Sequence, residues 1–189
     1  MAEQTLPDRL PPIPADRQTA EQTAVSAELI SGPRGALAGP FVPLLRSPGL
    51  LARVQKVGEF LRFESRLPED VKELAILVVA CHWSQGYEWM FHLPLALKAG
   101  VSRETAAAIA EARRPSDLTP VQAAAYDFLT ELQAGKGVED PAYARALEAL
   151  GEDGVVELTG FAGYYTLLAM VMNVARTPSD AAEIPLGGA

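Results

Sequence analysis

The sequence predicts an all-α chain, and three observations carry that expectation. No stretch alternates apolar and polar residues with the period of a strand. Three cap-plus-proline pairs, Ser47-Pro48, Thr119-Pro120 and Asp140-Pro141, each stand before a run with helical apolar spacing. Glycines close several of those runs, at Gly100, Gly135, Gly137 and Gly151.

Taken in order, residues 1–20 read as an extended Pro-rich arm, because Pro7, Pro11, Pro12 and Pro14 forbid a regular helix. The arm is expected either to be disordered or to lie along a neighbour. A single domain is expected over residues 21–176, followed by a loose tail over 177–189. Thr23 to Ile30 holds a short helix, and Ser31 to Gly35 a loop. Pro48 opens a helix ending near Ser65, with Leu50, Leu51, Val54, Val57, Phe60 and Leu61 as its apolar stripe. Ser102 caps a helix from Arg103 to Arg113. Pro120 begins a helix through Phe128 and Leu132. The segment Ala142 to Leu150 is helical and ends at Gly151, and a last long helix runs from Glu152 to about Val174.

The centre of the chain is Glu73 to His92. Its first half, Leu74 to Cys81, is apolar all round, as a buried helix is, and Pro68-Glu69-Asp70 supplies a start with acids in the first turn. One carboxylate, Glu73, sits in that run on the side of Leu77, Ala80 and Cys81. Burying it is costly unless it is paired or protonated. The second half, Gly86 to Ala99, reads as another helix, with Gln85, Glu88 and His92 on one side and Leu95, Ala96 and Ala99 continuing the stripe. Pro94 lies inside it and is expected to loosen the turn near His92. A buried Glu–His pair is often only a structural hydrogen bond, but three such groups in one helix-turn-helix also describe an acid/base site.

Bulk properties exclude several classes. The 189 residues suit one domain with a full core, and 49% are apolar against 21% charged. A net charge of −8 disfavours nucleic acid and anionic membrane surfaces as partners. Cys81, the one cysteine, allows no intrachain disulfide and no CxxC motif, and its apolar setting suits a packed thiol. His82 and His92 lie ten apart without a standard ligand spacing, so no metal is expected. The first residues lack an apolar leader core. The late apolar stretch, Phe161 to Ala175, is too short to span a bilayer. A cytoplasmic location is therefore expected. Arg53, Lys56, Arg62 and Arg66 form either a solvated helix face or a clamp for a substrate carboxylate.

Three segments, LPEDVKELAILVVA, YEWMFHLPLALKAGVS and VELTGFAGYYTLLAMVMN, together resemble the carboxymuconolactone decarboxylase family of the alkylhydroperoxidase D-like superfamily. The resemblance spans about residues 36–175. It implies an alkylhydroperoxidase D-like helical fold and a homotrimer or homohexamer. The superfamily's redox branch carries a glutamate, then CxxC, then a histidine four residues on. Glu73 and His92 match its glutamate and histidine, whereas Gln85 and Glu88 stand at the two cysteine positions. Thiol peroxidase chemistry needs that dithiol, so it is not expected here.

What the resemblance then implies is a cofactor-independent decarboxylase acting on a small carboxylated unsaturated lactone or related organic acid. The expected catalytic residues are His92, Glu88 and Glu73. Either His92 donates the proton while Glu88 orients it, or Glu88 transfers the proton itself. Gln85, Tyr87 and Trp89 are the expected substrate-binding residues, against a reading of Tyr87 and Trp89 as plain packing. Tyr164, Tyr165 and Asn173 face either the same pocket or a subunit interface. The alternatives are another cofactor-free acid/base enzyme, an isomerase or hydrolytic lyase, and a non-catalytic oligomeric binding protein.

Overall fold

The computed structural model describes residues 7–179. Among these residues there are eight α-helices, one 3-10 turn and no strand. The helices are α1 (Ala20–Ser31), α2 (Phe41–Leu44), α3 (Pro48–Phe63), α4 (Glu69–His82), α5 (Gly86–Ala99), α6 (Arg103–Ala110), α7 (Pro120–Gly135) and α8 (Asp140–Ala175).

The fold is organised around α4. Every residue from Val71 to Cys81 is buried, and the helix packs against α5, α6, α7 and α8. A helix apolar on all sides needs neighbours on all sides, and this arrangement supplies them. The core around it includes Leu74, Ile76, Leu77, Leu129, Leu158, Phe161 and Met172, all essentially inaccessible to water.

Most helix ends follow the local signals. Pro68 precedes α4 and Glu69 and Asp70 occupy its first turn. Ser102 Oγ accepts from the Thr105 amide at 2.8 Å. Thr119 and Gln122 form a reciprocal capping box at the start of α7. Gly100 closes α5 with φ +108°, a left-handed conformation that favours glycine. The α5 helix runs through Pro94 to its end.

Three boundaries or faces differ from the sequence expectation. The α1 helix begins at Ala20 rather than Thr23, because Thr19 and Gln22 cap it reciprocally. The α6 helix stops at Ala110, three residues early. Ala112 takes the left-handed conformation there, and the Arg113 amide reaches back to the Ala108 carbonyl. No glycine marks that turn, so the sequence carried no stop signal. On α3 the buried face is Leu51, Val54, Gln55, Gly58 and Leu61, while Leu50, Val57 and Phe60 lie exposed on the other side. The expected stripe was wider than one helix face can bury. Gly151 ends the segment before it as expected: its φ of 74° and ψ of 175° are not helical, so α8 consists of two helical segments meeting at a kink.

By length and composition α8 could cross a membrane, yet half of its apolar window is buried within the protein. It serves as a core helix against α2, α3, α4 and α7. The arm preceding α1 returns along α8: the Arg9 amide donates to the Ala175 carbonyl at 2.8 Å. It also meets the loop after α2, where the Arg46 guanidinium donates to the Pro11 carbonyl. Of the tail expected to be loose, residues 180–189 lie outside the described residues.

Candidate functional site

The turn from α4 to α5 sets the site. Ser84 adopts a left-handed conformation (φ 48°), and the Gln85 amide bonds back to the Ala80 carbonyl at 2.8 Å. Gln85 Oε1 then accepts from the Tyr87 amide at 2.8 Å, capping α5. Asn173 of α8 clamps the turn from outside. It accepts from Gln85 Nε2 at 2.7 Å and donates to the Trp83 carbonyl at 2.9 Å. These contacts fix the register of α5 against α4.

That register brings Glu73, Glu88 and His92 together with Arg62 of α3. Glu73 is 1% exposed. One of its oxygens accepts from Arg62 Nη1 at 2.7 Å, and the other lies 2.8 Å from His92 Nδ1. A carboxylate only accepts, so the proton of that pair belongs on Nδ1. Arg62 Nη1 also lies 3.2 Å from His92 Nδ1. A protonated nitrogen cannot accept, so the arginine's donation goes to Glu73. On the far side of the ring, His92 Nε2 stands 3.4 Å from Glu88 Oε2. The order is Arg62–Glu73–His92–Glu88. The sequence leaves Arg62 either a solvated residue or a substrate-carboxylate clamp; in the structure its partner is an internal carboxylate, Glu73.

Burial opposes protonation of His92, but hydrogen bonds to Glu73 and Glu88 outweigh it and hold its pKa above the ordinary value. The ring of Tyr165 meets His92 edge-on, with centroids 5.4 Å apart. Burial raises the Tyr165 phenol far above its usual range and pushes Tyr164 up to about 12, although Arg34 acts in the opposite sense on Tyr164. Both remain neutral hydroxyls at ordinary pH.

A cavity of about 210 Å³ opens beside this chain of groups. Glu88, His92, Arg62, Tyr165, Tyr87 and Arg34 contribute its polar wall, and Phe41, Phe63, Phe91 and Leu168 much of its apolar one. Glu88 Oε1 is buried there and has no hydrogen-bond partner. Tyr87 stacks on Phe91 with ring centroids 6.4 Å apart. Its ring also passes so near Gly39 that a Cβ there would lie 2.5 Å from it.

Not every expected residue reaches the cavity. Trp89 does not line it: the side chain is 2% exposed and belongs to the hydrophobic core. Gln85 is likewise buried and absent from the wall, and its contacts are the cap and Asn173. Glu73 stands behind His92. Of the α8 residues left open, Tyr165 lines the cavity and Asn173 holds the turn. The residue missed by sequence reading is Arg34. It sits in a loop of glycine, proline and alanine with no periodicity to flag it. Among the described residues no group of three or more His, Cys, Asp or Glu side chains is arranged to hold a metal ion.

Residues 48–131, which include α3 to α6 and most of α7, match the carboxymuconolactone decarboxylase family. The whole fold is similar to a crystal structure from Ralstonia eutropha JMP134, described as an alkylhydroperoxidase AhpD core and an uncharacterized peroxidase-related protein. The two align with a TM-score of 0.73 over 96% of each chain at 16% identity, so the likeness is one of fold. No curated protein matches the chain in sequence. Within the carboxymuconolactone decarboxylase segment lie Arg62, Glu73, Glu88 and His92. Tyr165 and Arg34 come to the same cavity from outside it.

Proposed function

We propose that this protein is a cofactor-independent carboxy-lyase acting on a small carboxylated unsaturated lactone or a related organic acid. The observation that carries the reading is Glu88. Its carboxylate is buried, one oxygen lacks a partner, and that oxygen's side chain lines a cavity while the other oxygen faces His92. A buried carboxyl oxygen without a partner is costly for folding alone, and a substrate's proton exchange would give it a use.

In the reaction, the bond between the carboxylate carbon and the ring carbon breaks and CO₂ leaves. The electron pair enters the unsaturated lactone as a dienolate. Glu88, protonated through His92, delivers its proton to carbon, and solvent restores the proton. Both ring nitrogens of His92 face carboxylates, which supports a relay role for His92 and direct transfer by Glu88. Glu73 and Arg62 hold the imidazole in its tautomer. Tyr165 and Tyr87 line the cavity and offer neutral hydroxyls as donors to the developing oxyanion. Assembly as a homotrimer or homohexamer belongs to this reading. It is supported by an exposed apolar row on one side of α8, comprising Val156, Leu167, Met170 and Val174.

The test is CO₂ release from a panel of carboxylated muconolactones and related unsaturated acids. Release that vanishes in Glu88→Gln and His92→Ala bears the reading out. No release from any compound rejects it and favours an isomerase, a hydrolytic lyase or a binding role. Peroxide reduction is the second reading, favoured by the peroxidase-related neighbour. In this chain Gln85 and Glu88 occupy the positions of the dithiol. Cys81 lines a different cavity, its Sγ 2.9 Å from the Ile109 carbonyl. Peroxide consumption with a thiol reductant that is lost in Cys81→Ser would support that alternative.

A further inference from the structure

Arg34, in the loop between α1 and α2, takes no part in the proton path described above, yet its guanidinium is held from several sides. Its Nη2 donates to Tyr164 Oη at 3.3 Å. Its central carbon lies 4.7 Å over the centre of the Phe41 ring. On α3, Gly58 leaves the space the pair needs: a Cβ there would come within 2.0 Å of Tyr164 Oη and 2.4 Å of Arg34 Nη2. Glycine inside a helix is less favourable than alanine. A buried Gly58 therefore does nothing for α3 itself, and its evident use is to admit the Arg34–Tyr164 contact.

Against this careful positioning stands a deficit. Arg34 Nε is buried and donates to no acceptor. Leaving such a donor unpaired costs folding free energy. Among the described residues no group of the protein satisfies that atom, and the side chain as a whole is only half-buried. Arg34 lines the same cavity as Glu88 and His92. The Nε edge of a guanidinium offers two parallel donors that match the two oxygens of a carboxylate, a fit that an ammonium group lacks.

We propose that Arg34 is the anion anchor of this cavity, its Nε edge binding a non-reacting carboxylate of a small organic acid and so seating the rest of the molecule toward Glu88. The carboxylate it holds is not the one that leaves. A guanidinium on the leaving group would stabilise the charged ground state more than the transition state and slow the loss of CO₂. The catalytic half of this assignment rests on the acid/base reading of Glu88, whereas the binding half stands on Arg34 alone.

The probe is 2-furoate, a small unsaturated ring with one carboxylate, compared with its neutral analogue 2-furamide. Binding is measured by ligand-observed NMR and calorimetry on wild type, Arg34→Gln, Arg34→Lys and Gly58→Ala, each checked for a cooperative thermal transition. Wild type is expected to bind furoate at least tenfold more tightly than furamide. Arg34→Gln loses that preference, and Arg34→Lys, which keeps the charge without the fork, retains part of it. Gly58→Ala weakens furoate binding by displacing the guanidinium. Furoate binding that is equal in wild type and Arg34→Gln overturns the proposal, as does the absence of furoate binding to folded wild type. The two readings separate cleanly. Arginine-dependent furoate binding without any CO₂ release sustains the anchor and rejects the carboxy-lyase. CO₂ release with an unchanged KM in Arg34→Gln does the reverse.

Discussion

Replacing Glu73 by glutamine keeps the size of the side chain but removes the charge that Arg62 and His92 share. The wild-type carboxylate is 1% exposed, with Arg62 at 2.7 Å and His92 at 2.8 Å. Breaking a buried ion pair by removing one partner costs about 3–5 kcal/mol. The side chain of Arg62 retains 15% of its solvent contact, and glutamine still offers one acceptor oxygen, so the low end, about 3 kcal/mol, applies. With a urea dependence of about 3 kcal/mol per molar, the unfolding midpoint should fall by about 1 M at unchanged slope. The same substitution removes the first of the two hydrogen bonds that raise the His92 pKa, leaving burial less opposed, so that pKa should drop.

The pH dependence follows with a definite sign. Because the folded-state pKa of His92 is raised, its stabilising contribution is complete below the unfolded value of about 6.5 and is lost as pH rises through the folded pKa. In Glu73→Gln that loss should shrink. Urea titrations at several pH values, with NMR titration of the His92 ring, measure both effects. An unchanged midpoint together with an unchanged His92 pKa would refute the coupling of Glu73 to His92.

Other substitutions probe the supports of the site. Gly58→Ala should destabilise by about 1–3 kcal/mol despite its better helix propensity, because the new methyl meets Tyr164 and Arg34; a lower Tm in calorimetry checks this. Asn173→Ala removes the partner of Gln85 Nε2 and of the Trp83 carbonyl, and should cost about 1–3 kcal/mol by denaturant unfolding. Phe161→Ala, at a fully buried position, should cost about 3–5 kcal/mol, whereas Val156→Ala, at a position 71% exposed, should stay within about 0.5 kcal/mol for the isolated chain. A large loss for Val156→Ala that depends on protein concentration would instead locate a subunit contact at that face.

The elements legible in the sequence were those with local causes. The limits of α4 follow from Pro68, the acids after it and an apolar run that tolerates no wet face. Those of α5 and α7 follow from Gln85 and Gly100, and from Thr119 with Pro120. Spacing on α5 also put Glu88 and His92 on one side, and their convergence with Glu73 needed only the short turn between two adjacent helices. Where local cause was absent, reading stopped. Ala112 turns left-handed with no glycine to announce it, and the stripe on α3 was apolar on two sides while only one could be buried.

What tertiary structure alone decided is the company these residues keep. Trp89 and Glu88 are neighbours on one helix, yet the first enters the core and the second meets a cavity, because a rotation of about 100° per residue points them in different directions. Arg62 could have faced water; the placement of α3, packed against α1, α2 and α8, turned it onto Glu73 instead. Arg34 and Tyr164 are 130 residues apart, and their contact depends on Gly58, a third residue distant from both. Periodicity encodes which face of a helix is buried. It does not encode which partner meets that face, since partners separated by long stretches of chain share no pattern in the sequence.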